Sequence, residues 1–262
     1  MSIIALLVGL LLPGLRLARG YARDALCSSN LRQASIGWTM YTNDAGLFPP
    51  RGPFDWGGVD FYDRVVWQSG LNPNRPVNPY IGSNLNEKAR AEIFLCPNDI
   101  GVHYFGDPTR ARYSFANEST AGLEDKDDRI YGQLGTSYRA NEWIWMKPGA
   151  PGMTSGAPNY NRTSGNRPEV VTDPARFVLV GDLGPFVVGR CARSLRRGVF
   201  GEWWHGEEQC TFAFLDGHAA RHQMTPGTAD SRDYTFYVAP ALQPRTSWVY
   251  ASSPVGTPSS TN

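Results

Sequence analysis

The first 44 residues constrain the fold of this chain more than any other stretch. An unbroken apolar run, Ile3 to Leu12, is followed by Pro13 and then by a basic, amphipathic stretch that starts at Leu15. In that stretch, side chains recur at the i, i+4, i+7, i+11 and i+14 spacing of one helical face; they are Cys27, Leu31, Ala34, Trp38 and Tyr41. The sequence therefore predicts one long helix over residues 1–44, with an apolar half and an amphipathic half.

Turn residues and prolines mark the end of this helix. Asn43, Asp44 and Gly46 favour turns and helix C-caps, and Pro49 and Pro50 prevent the helix from resuming. We therefore expect the helix to stop near Asp44 and a separate head to occupy residues 45–262.

Three interpretations of the apolar run compete. A helix needs about 20 apolar residues to cross a bilayer, so this run is too short to cross alone. A secretory signal peptide carries basic residues before its apolar core, whereas the arginines here follow it. A buried core helix would need burial around its whole circumference. The third interpretation is the C-terminal part of a membrane or filament-core helix whose first residues precede this chain. The residues of this chain that would belong to that helix are Ile3, Ile4, Leu6, Leu7, Leu10, Leu11, Leu12 and Pro13.

Composition predicts a β-rich head. The 262-residue chain contains 28 glycines, 20 prolines, eight tryptophans and twelve tyrosines, which is typical of short strands joined by many turns. The net charge of +1 provides no electrostatic basis for binding nucleic acid. The expected fold class is α+β, with the long N-terminal helix packed through its buried stripe onto an antiparallel β-sheet head that carries long loops.

The N-terminal region carries a recognisable set of motifs. The apolar helix ends in a proline, Pro13, and a Tyr-x-x-Asp/Asn turn before prolines spans Tyr41–Pro50. Between them lies a Cys-x-x-Asn-Leu-Arg-Gln signature, formed by Cys27, Asn30, Leu31, Arg32 and Gln33. This arrangement resembles bacterial type IV pilin-like and type II secretion pseudopilin-like proteins, in the family with a prepilin-type methylation segment and a C-terminal H-x9-DG domain. The Gly-Phe-Thr-Leu-Ile-Glu processing site of that family does not occur in these 262 residues.

Motifs in the head extend the resemblance, which implies a pilin-like fold. Pro97 and Asp99 lie in a segment similar to the family's Cys-Pro-Ser/Asn-Asp motif, and Val170–Asp182 is similar to its strand that ends in aspartate. The C-terminal motif corresponds to His205, Asp216 and Gly217, with ten residues between histidine and aspartate where the family has nine. The extra residue is expected before the following strand or in a bulge.

The residues around Asp216 predict a β-hairpin. Cys210 to Leu215 is strand-like, Asp216-Gly217 is a strong signal for a two-residue turn, and His218 to Met224 returns. Such a turn would pair Leu215 with His218, Ala213 with Ala220 and Thr211 with His222. We expect this hairpin near the centre of the sheet.

The four cysteines, Cys27, Cys96, Cys191 and Cys210, show no C-x2-C spacing, which argues against a zinc ribbon or a redox motif. In an oxidising compartment they allow three disulfide pairings. We favour pairing Cys27 with Cys96, because Cys27 faces the head and Cys96 ends the strand-like Ile93–Leu95, and pairing Cys191 with Cys210. Four buried thiols are the alternative.

Metal sites are not predicted. The candidate ligands are His205, His218, His222 and Cys210, but on a strand His218 and His222 would lie roughly 13 Å apart, too far to share a zinc ion. A carboxylate cluster of the kind that binds calcium is formed by Asp125, Asp127 and Asp128. Its spacing is not that of an EF-hand, so a solvated loop is the simpler interpretation and no cofactor is expected.

The expected function follows from the resemblance. No nucleophile elbow, phosphate-binding loop or zinc-protease motif occurs, so we predict a protein that is not an enzyme. The resemblance implies a structural subunit of a pilus or pseudopilus, which self-associates through its N-terminal helix and contacts other pilin-like subunits. It would be anchored in the membrane with its head in the periplasm or outside the cell, or lie in an extracellular filament. The alternative is a membrane-anchored extracytoplasmic binding module that holds carbohydrate on loop aromatics such as Trp56 and Trp67.

Overall fold

One long helix and a four-stranded antiparallel sheet form the described part of the chain, which confirms the α+β class. The computed structural model describes residues 2–49, 56–58, 75–81, 92–101, 131, 135–141, 144, 167–182, 203–206, 208–224 and 230–236. The elements are helix α1 (Ser2–Ala45) and strands β1 (Tyr138–Ala140), β2 (Val178–Asp182), β3 (Gln209–Phe214) and β4 (Ala219–Gln223). Short 3-10 turns at Asn78–Ile81, Glu92–Phe94 and Pro168–Val170 lie between these elements in the chain.

Helix α1 is continuous, as the sequence predicts. It passes through Pro13 and ends at Ala45, one residue beyond the predicted boundary. Gly46 adopts a left-handed conformation with φ +68°, and its N–H donates to the Thr42 carbonyl at 2.8 Å. This is a glycine C-cap, which satisfies a carbonyl that the helix leaves without a partner. No helix among the described residues combines the length and the hydropathy that a membrane span requires.

The amphipathic half of α1 packs on the head through the predicted stripe. Cys27, Leu31, Ala34 and Trp38 are fully buried, and Tyr41 packs at the edge of the same core. Every residue from Leu11 to Arg23 is exposed. Among the described residues, the side-chain contacts of α1 with the head therefore begin at Asp24.

The strands follow the order β1-β2-β3-β4, with every neighbouring pair antiparallel. The predicted hairpin exists, but only β3 is central, while β4 forms an edge of the described sheet. Residues of β3 alternate between the two faces of the sheet. Thr211 and Ala213 lie on the face that α1 covers, whereas Cys210, Phe212 and Phe214 form a second buried cluster with Tyr234 and Phe236.

The predicted two-residue turn and its register are wrong. Phe214 donates to the His218 carbonyl at 2.9 Å, and Gly217 donates to the Phe214 carbonyl at 3.0 Å. Three residues therefore lie between the hydrogen-bonded Phe214 and His218, and Thr211 pairs with Arg221 instead of His222. The reason is the backbone conformation of the turn. A two-residue type I′ turn needs positive φ at both Asp216 and Gly217, but of these two residues Gly217 alone has positive φ (94°).

Two further predictions about the head need correction. Residues Ile93–Leu95 are not strand-like, because Glu92–Phe94 forms a 3-10 turn in which Leu95 donates to the Glu92 carbonyl at 3.0 Å. Trp56 is not an exposed anchor for carbohydrate; it is fully buried, with its ring centroid 5.6 Å from Trp38 and 5.5 Å from Phe94. The predictions that concern Trp67, Cys191, Asp125, Asp127 and Asp128 fall outside the described residues.

Candidate functional site

Four chemically reactive side chains meet under α1, in the interior of the head. They are Cys27, Cys96, Asp182 and His205, all buried, and their donor atoms lie within 4.8 Å of one another. Each comes from a different part of the chain: α1, the segment after the turn at Glu92–Phe94, the last residue of β2 and the segment before β3. The group therefore joins the helix to three parts of the head.

The cysteines are positioned by α1 and by the segment that α1 holds. Cys27 reaches the interior because it belongs to the buried stripe of the helix. One turn later, the Asn30 amide donates to the Glu92 carbonyl at 3.0 Å and to the Leu95 carbonyl at 2.9 Å. Because these bonds fix the segment directly before Cys96, the helix brings the two sulfur atoms together.

Asp182 is positioned by the sheet. It is the last residue of β2, and its Oδ2 accepts a hydrogen bond from the backbone N–H of Thr211 on the neighbouring β3 at 2.8 Å. Its side chain lies on the face of the sheet that α1 covers. The carboxylate is therefore turned toward Cys27, with 3.9 Å between Oδ1 and Sγ.

His205 bridges two carboxylates. Its Nδ1 lies 2.7 Å from Asp24 Oδ1, and its Nε2 lies 3.3 Å from Asp182 Oδ2 and 3.5 Å from Cys96 Sγ. Its side chain has no exposed surface. With Nδ1–H donated to Asp24, the Nε2 atom points into the group of four.

Asp24, on α1, is itself held in place. Its Oδ1 accepts from the Asn98 amide at 2.8 Å, and its Oδ2 lies 2.5 Å from an Arg221 nitrogen. Arg221 also donates to the backbone carbonyl of His205. These contacts lock the orientation of the imidazole ring through charge-assisted hydrogen bonds.

The surroundings shift the pKa values of the group in opposite directions. Burial lowers the pKa of His205, but the attraction and hydrogen bond of Asp182, with Cys27, overcome that effect and raise it to about 11. Burial raises the pKa of Cys96 well above its usual value. Burial alone would also raise the pKa of Cys27, but its hydrogen bonds with Cys96 and His205 lower it. Cys27 is therefore the more acidic of the two thiols.

The predicted disulfide partners are brought together in part. Cys27 and Cys96 lie with their sulfur atoms 3.1 Å apart and both are free thiols. Cys210 is also a buried free thiol, on the opposite face of the sheet, with Sγ 3.5 Å from the His222 carbonyl. The pairing of Cys210 with Cys191 stays a prediction, because Cys191 falls outside the described residues.

Most of the remaining motif residues have structural roles. Asp99 is buried and accepts hydrogen bonds from the Ser137 hydroxyl at 2.6 Å and from the N–H groups of Gly101 and Tyr131, both at 2.9 Å. Leu31 is in the core, Pro97 is half-buried, and Arg32 and Gln33 are exposed.

The histidine and the aspartate of the C-terminal motif lie in separate places. Asp216 accepts from the backbone N–H of His218 at 3.1 Å in the hairpin turn, whereas His205 lies in the buried group. The Ser35 hydroxyl donates to the Gly217 carbonyl at 3.3 Å, so α1 also contacts this turn.

Sequence reasoning found only part of the buried group. It singled out His205 and both cysteines, but it did not connect Asp182, the end of a strand, with them, and it did not single out Asp24. The other proposed metal ligands, His218 and His222, instead pack their rings against Phe214 and Phe212. A usable signal was present, since an aspartate that ends a strand buried on both faces must be held by hydrogen bonds or by a cation.

The residue types of the group are compatible with two kinds of chemistry. A thiol beside an imidazole and a carboxylate is the arrangement of a cysteine nucleophile. In this structure Cys27 is fully buried and Cys96 is 1% exposed. Two thiolates, an imidazole nitrogen and a carboxylate are also the ligand types that hold a transition metal ion.

A comparison of the chain with protein-family models, with curated proteins and with solved structures finds no match in any of the three.

Proposed function

We propose that this protein is a non-enzymatic structural subunit of a pilus- or pseudopilus-like filament, of the kind found in type II secretion and type IV pilus systems. The observation that carries the proposal is the unequal burial of α1. Its second half is packed into the head, while Leu11–Arg23 is entirely exposed and includes several large apolar side chains. A filament with a helical core requires this division into a folded head and a helical segment whose apolar side chains are exposed.

The exposed half of α1 is long enough to contact neighbouring subunits. From Ser2 to Arg23 the helix extends about 33 Å at about 1.5 Å per residue. Leu7, Leu11 and Leu15 fall on one side of it, spaced by one turn each, and Leu11 is 68% exposed. A monomer rarely leaves such a stripe in water, so it favours association.

The charges of the same segment favour an ordered arrangement. Arg16, Arg19 and Arg23 recur at i, i+3 and i+7, and all three are exposed. At about 100° per residue, their side of α1 lies about 110° around the helix from that of Leu7, Leu11 and Leu15. Leucine sides of neighbouring helices would pack together in the filament core, with the arginines flanking that contact and the heads outside. The head would face the periplasm or the cell exterior, and the apolar end of α1 would hold each subunit in the membrane before assembly.

Electron microscopy of negatively stained full-length protein tests the proposal. We expect filaments from the wild type and none from Leu11→Asp, because a carboxylate would be buried without a partner in the helix core. Leu26→Asp is the matched control, since Leu26 is also exposed on α1 but lies beside the head, outside the proposed core segment. Leu26→Asp should still assemble.

The head must remain folded in both variants for the comparison to hold. Leu11 and Leu26 are 68% and 52% exposed, so their substitution should leave the urea unfolding midpoint of the head unchanged. Monodisperse wild-type particles, or filaments from Leu11→Asp, would refute the proposal.

A further inference from the structure

We infer that Cys27, Cys96, Asp182 and His205 bind a single zinc ion that fastens α1 to the head. The four residues supply two sulfur atoms, one imidazole nitrogen and one carboxylate oxygen, which are the ligand types of protein zinc sites. The inference stands independently of filament formation, because it concerns only the interior of one subunit.

Two distances between the ligand atoms match tetrahedral coordination, and two others would have to adjust, because Cys27 Sγ lies 3.9 Å from Asp182 Oδ1 where an S–O edge is about 3.5 Å. With Zn–S near 2.3 Å and Zn–N and Zn–O near 2.0 Å, tetrahedral edges are about 3.5 Å for S–N, 3.3 Å for N–O and 3.8 Å for S–S. The Cys96–His205 edge is 3.5 Å and the His205–Asp182 edge is 3.3 Å. The two sulfur atoms, 3.1 Å apart, would separate by about 0.7 Å to admit the ion.

His205 already has the surroundings of a metal-bound histidine. Zinc-binding histidines donate their second N–H to a carboxylate or carbonyl, which fixes the ring and its tautomer. Here Nδ1 lies 2.7 Å from Asp24, and Nε2 faces both Cys96 and Asp182. Asp24 is thus a positioning residue for this ligand.

A divalent cation would balance the negative charge that its own binding creates at this place. Both cysteines would bind as thiolates, each releasing its proton to water, and Asp182 is a carboxylate. With Nε2 bound to the ion, His205 would be neutral, so the positive charge that balances the two thiolates and Asp182 would come from the metal. A zinc ion compensates most of this charge, and Arg221 offsets the charge of Asp24 on the outer side.

The ion would have a structural role. All four ligands come from the protein and all are buried, which is characteristic of a closed structural site rather than a catalytic one with an open position. The ligands lie far apart in the chain, with Cys96 69 positions after Cys27 and His205 109 positions after Cys96. One ion would therefore connect α1, the segment after the turn at Glu92–Phe94 and the sheet.

The test measures zinc in the full-length protein, purified without chelators and desalted. Elemental analysis of the wild type should give one zinc ion per chain, and cobalt substitution should give the absorption of sulfur-ligated tetrahedral cobalt. Cys96→Ala should reduce the zinc content to background. Cys210→Ala is the matched control, because Cys210 is an equally buried thiol outside the site, and it should keep one zinc ion.

A milder variant keeps the test informative if Cys96→Ala does not fold. Asp24→Asn leaves all four ligands in place but weakens the hydrogen bond to His205, so zinc affinity should fall about 10- to 100-fold. Removing zinc from the wild type should also lower its melting temperature. A disulfide between Cys27 and Cys96, seen by mass spectrometry without reductant, would overturn the inference. So would a reduced, folded wild type that binds no zinc, or zinc that persists in Cys96→Ala.

Discussion

Gly37 provides the sharpest test of how α1 packs on the head. Glycine in the middle of a helix is normally unfavourable, and alanine at such a position stabilises by about 1 kcal/mol. At Gly37, however, an added Cβ would lie 2.6 Å from Ile81 Cγ1 and 2.9 Å from Val77 Cγ1. Both distances are too short for carbon atoms in contact, so Gly37→Ala forces the helix away from the 3-10 turn at Asn78–Ile81.

The gain in helix propensity and the cost of the steric clash oppose each other, and the clash is the larger effect. Overpacking a close-packed site costs about 1–3 kcal/mol, and subtracting the gain of about 1 kcal/mol in helix propensity leaves a loss between zero and about 2 kcal/mol. The matched control is Gly20→Ala, on the exposed half of α1, where an added Cβ meets no atom within 4 Å. That variant should be neutral or gain up to about 1 kcal/mol.

Urea unfolding followed by tryptophan fluorescence measures the difference, because Trp38 and Trp56 are buried in the core that α1 closes. Gly37→Ala should unfold at lower urea concentration than Gly20→Ala. In thermal unfolding, each kcal/mol corresponds to about 2–4 °C for a protein of this size. A Gly37→Ala protein as stable as Gly20→Ala would show that the segment around Val77 and Ile81 does not contact the helix in this way.

Two further substitutions test the core. Leu31→Ala, at a fully buried position of α1, should lower the free energy of unfolding by about 2–5 kcal/mol in urea titrations. Its control is Leu26→Ala, because Leu26 is 52% exposed on the same helix, and this variant should change the free energy by less than about 0.5 kcal/mol. Equal effects of the two substitutions would contradict the assigned buried face of the helix. Asp99→Asn should cost about 1.5–3 kcal/mol, because a carboxylate that accepts from Ser137, Gly101 and Tyr131 is replaced by an amide with one acceptor. The exposed Asp233→Asn is its control, and a Tm loss no larger than that of the control would refute the buried role of Asp99.

The buried group and the packing of α1 are parts of one arrangement. Cys27 and Asp24 lie on the first turns of α1 that meet the head, and Asn30 follows one turn later. A force on the exposed half of the helix would therefore act first on this site. The proposed zinc ion would resist such a force directly, because it would connect α1 to the sheet through Asp182.

Elements that depend on neighbouring residues could be predicted from the sequence. The period of Cys27, Leu31, Ala34 and Trp38 predicts the helix and its buried face, because that period follows from helical geometry alone. The glycine at position 46 predicts the helix end for a similar reason. The apolar residues before Asp182 predict a strand buried on both faces, and β2 is buried throughout.

Features that depend on contacts between distant residues were decided by the tertiary structure. The hairpin register depends on which residue of the turn adopts positive φ, and the motif Asp216-Gly217 allows more than one answer. The burial of Trp56 depends on Trp38 and Phe94, which approach it from other segments. In the same way, Asp182 reaches Cys27 across 155 residues of chain, and a sequence pattern carries no information about such a meeting. The helix was therefore determined locally, whereas the group of four exists only because the helix, the sheet and two connecting segments pack around one point.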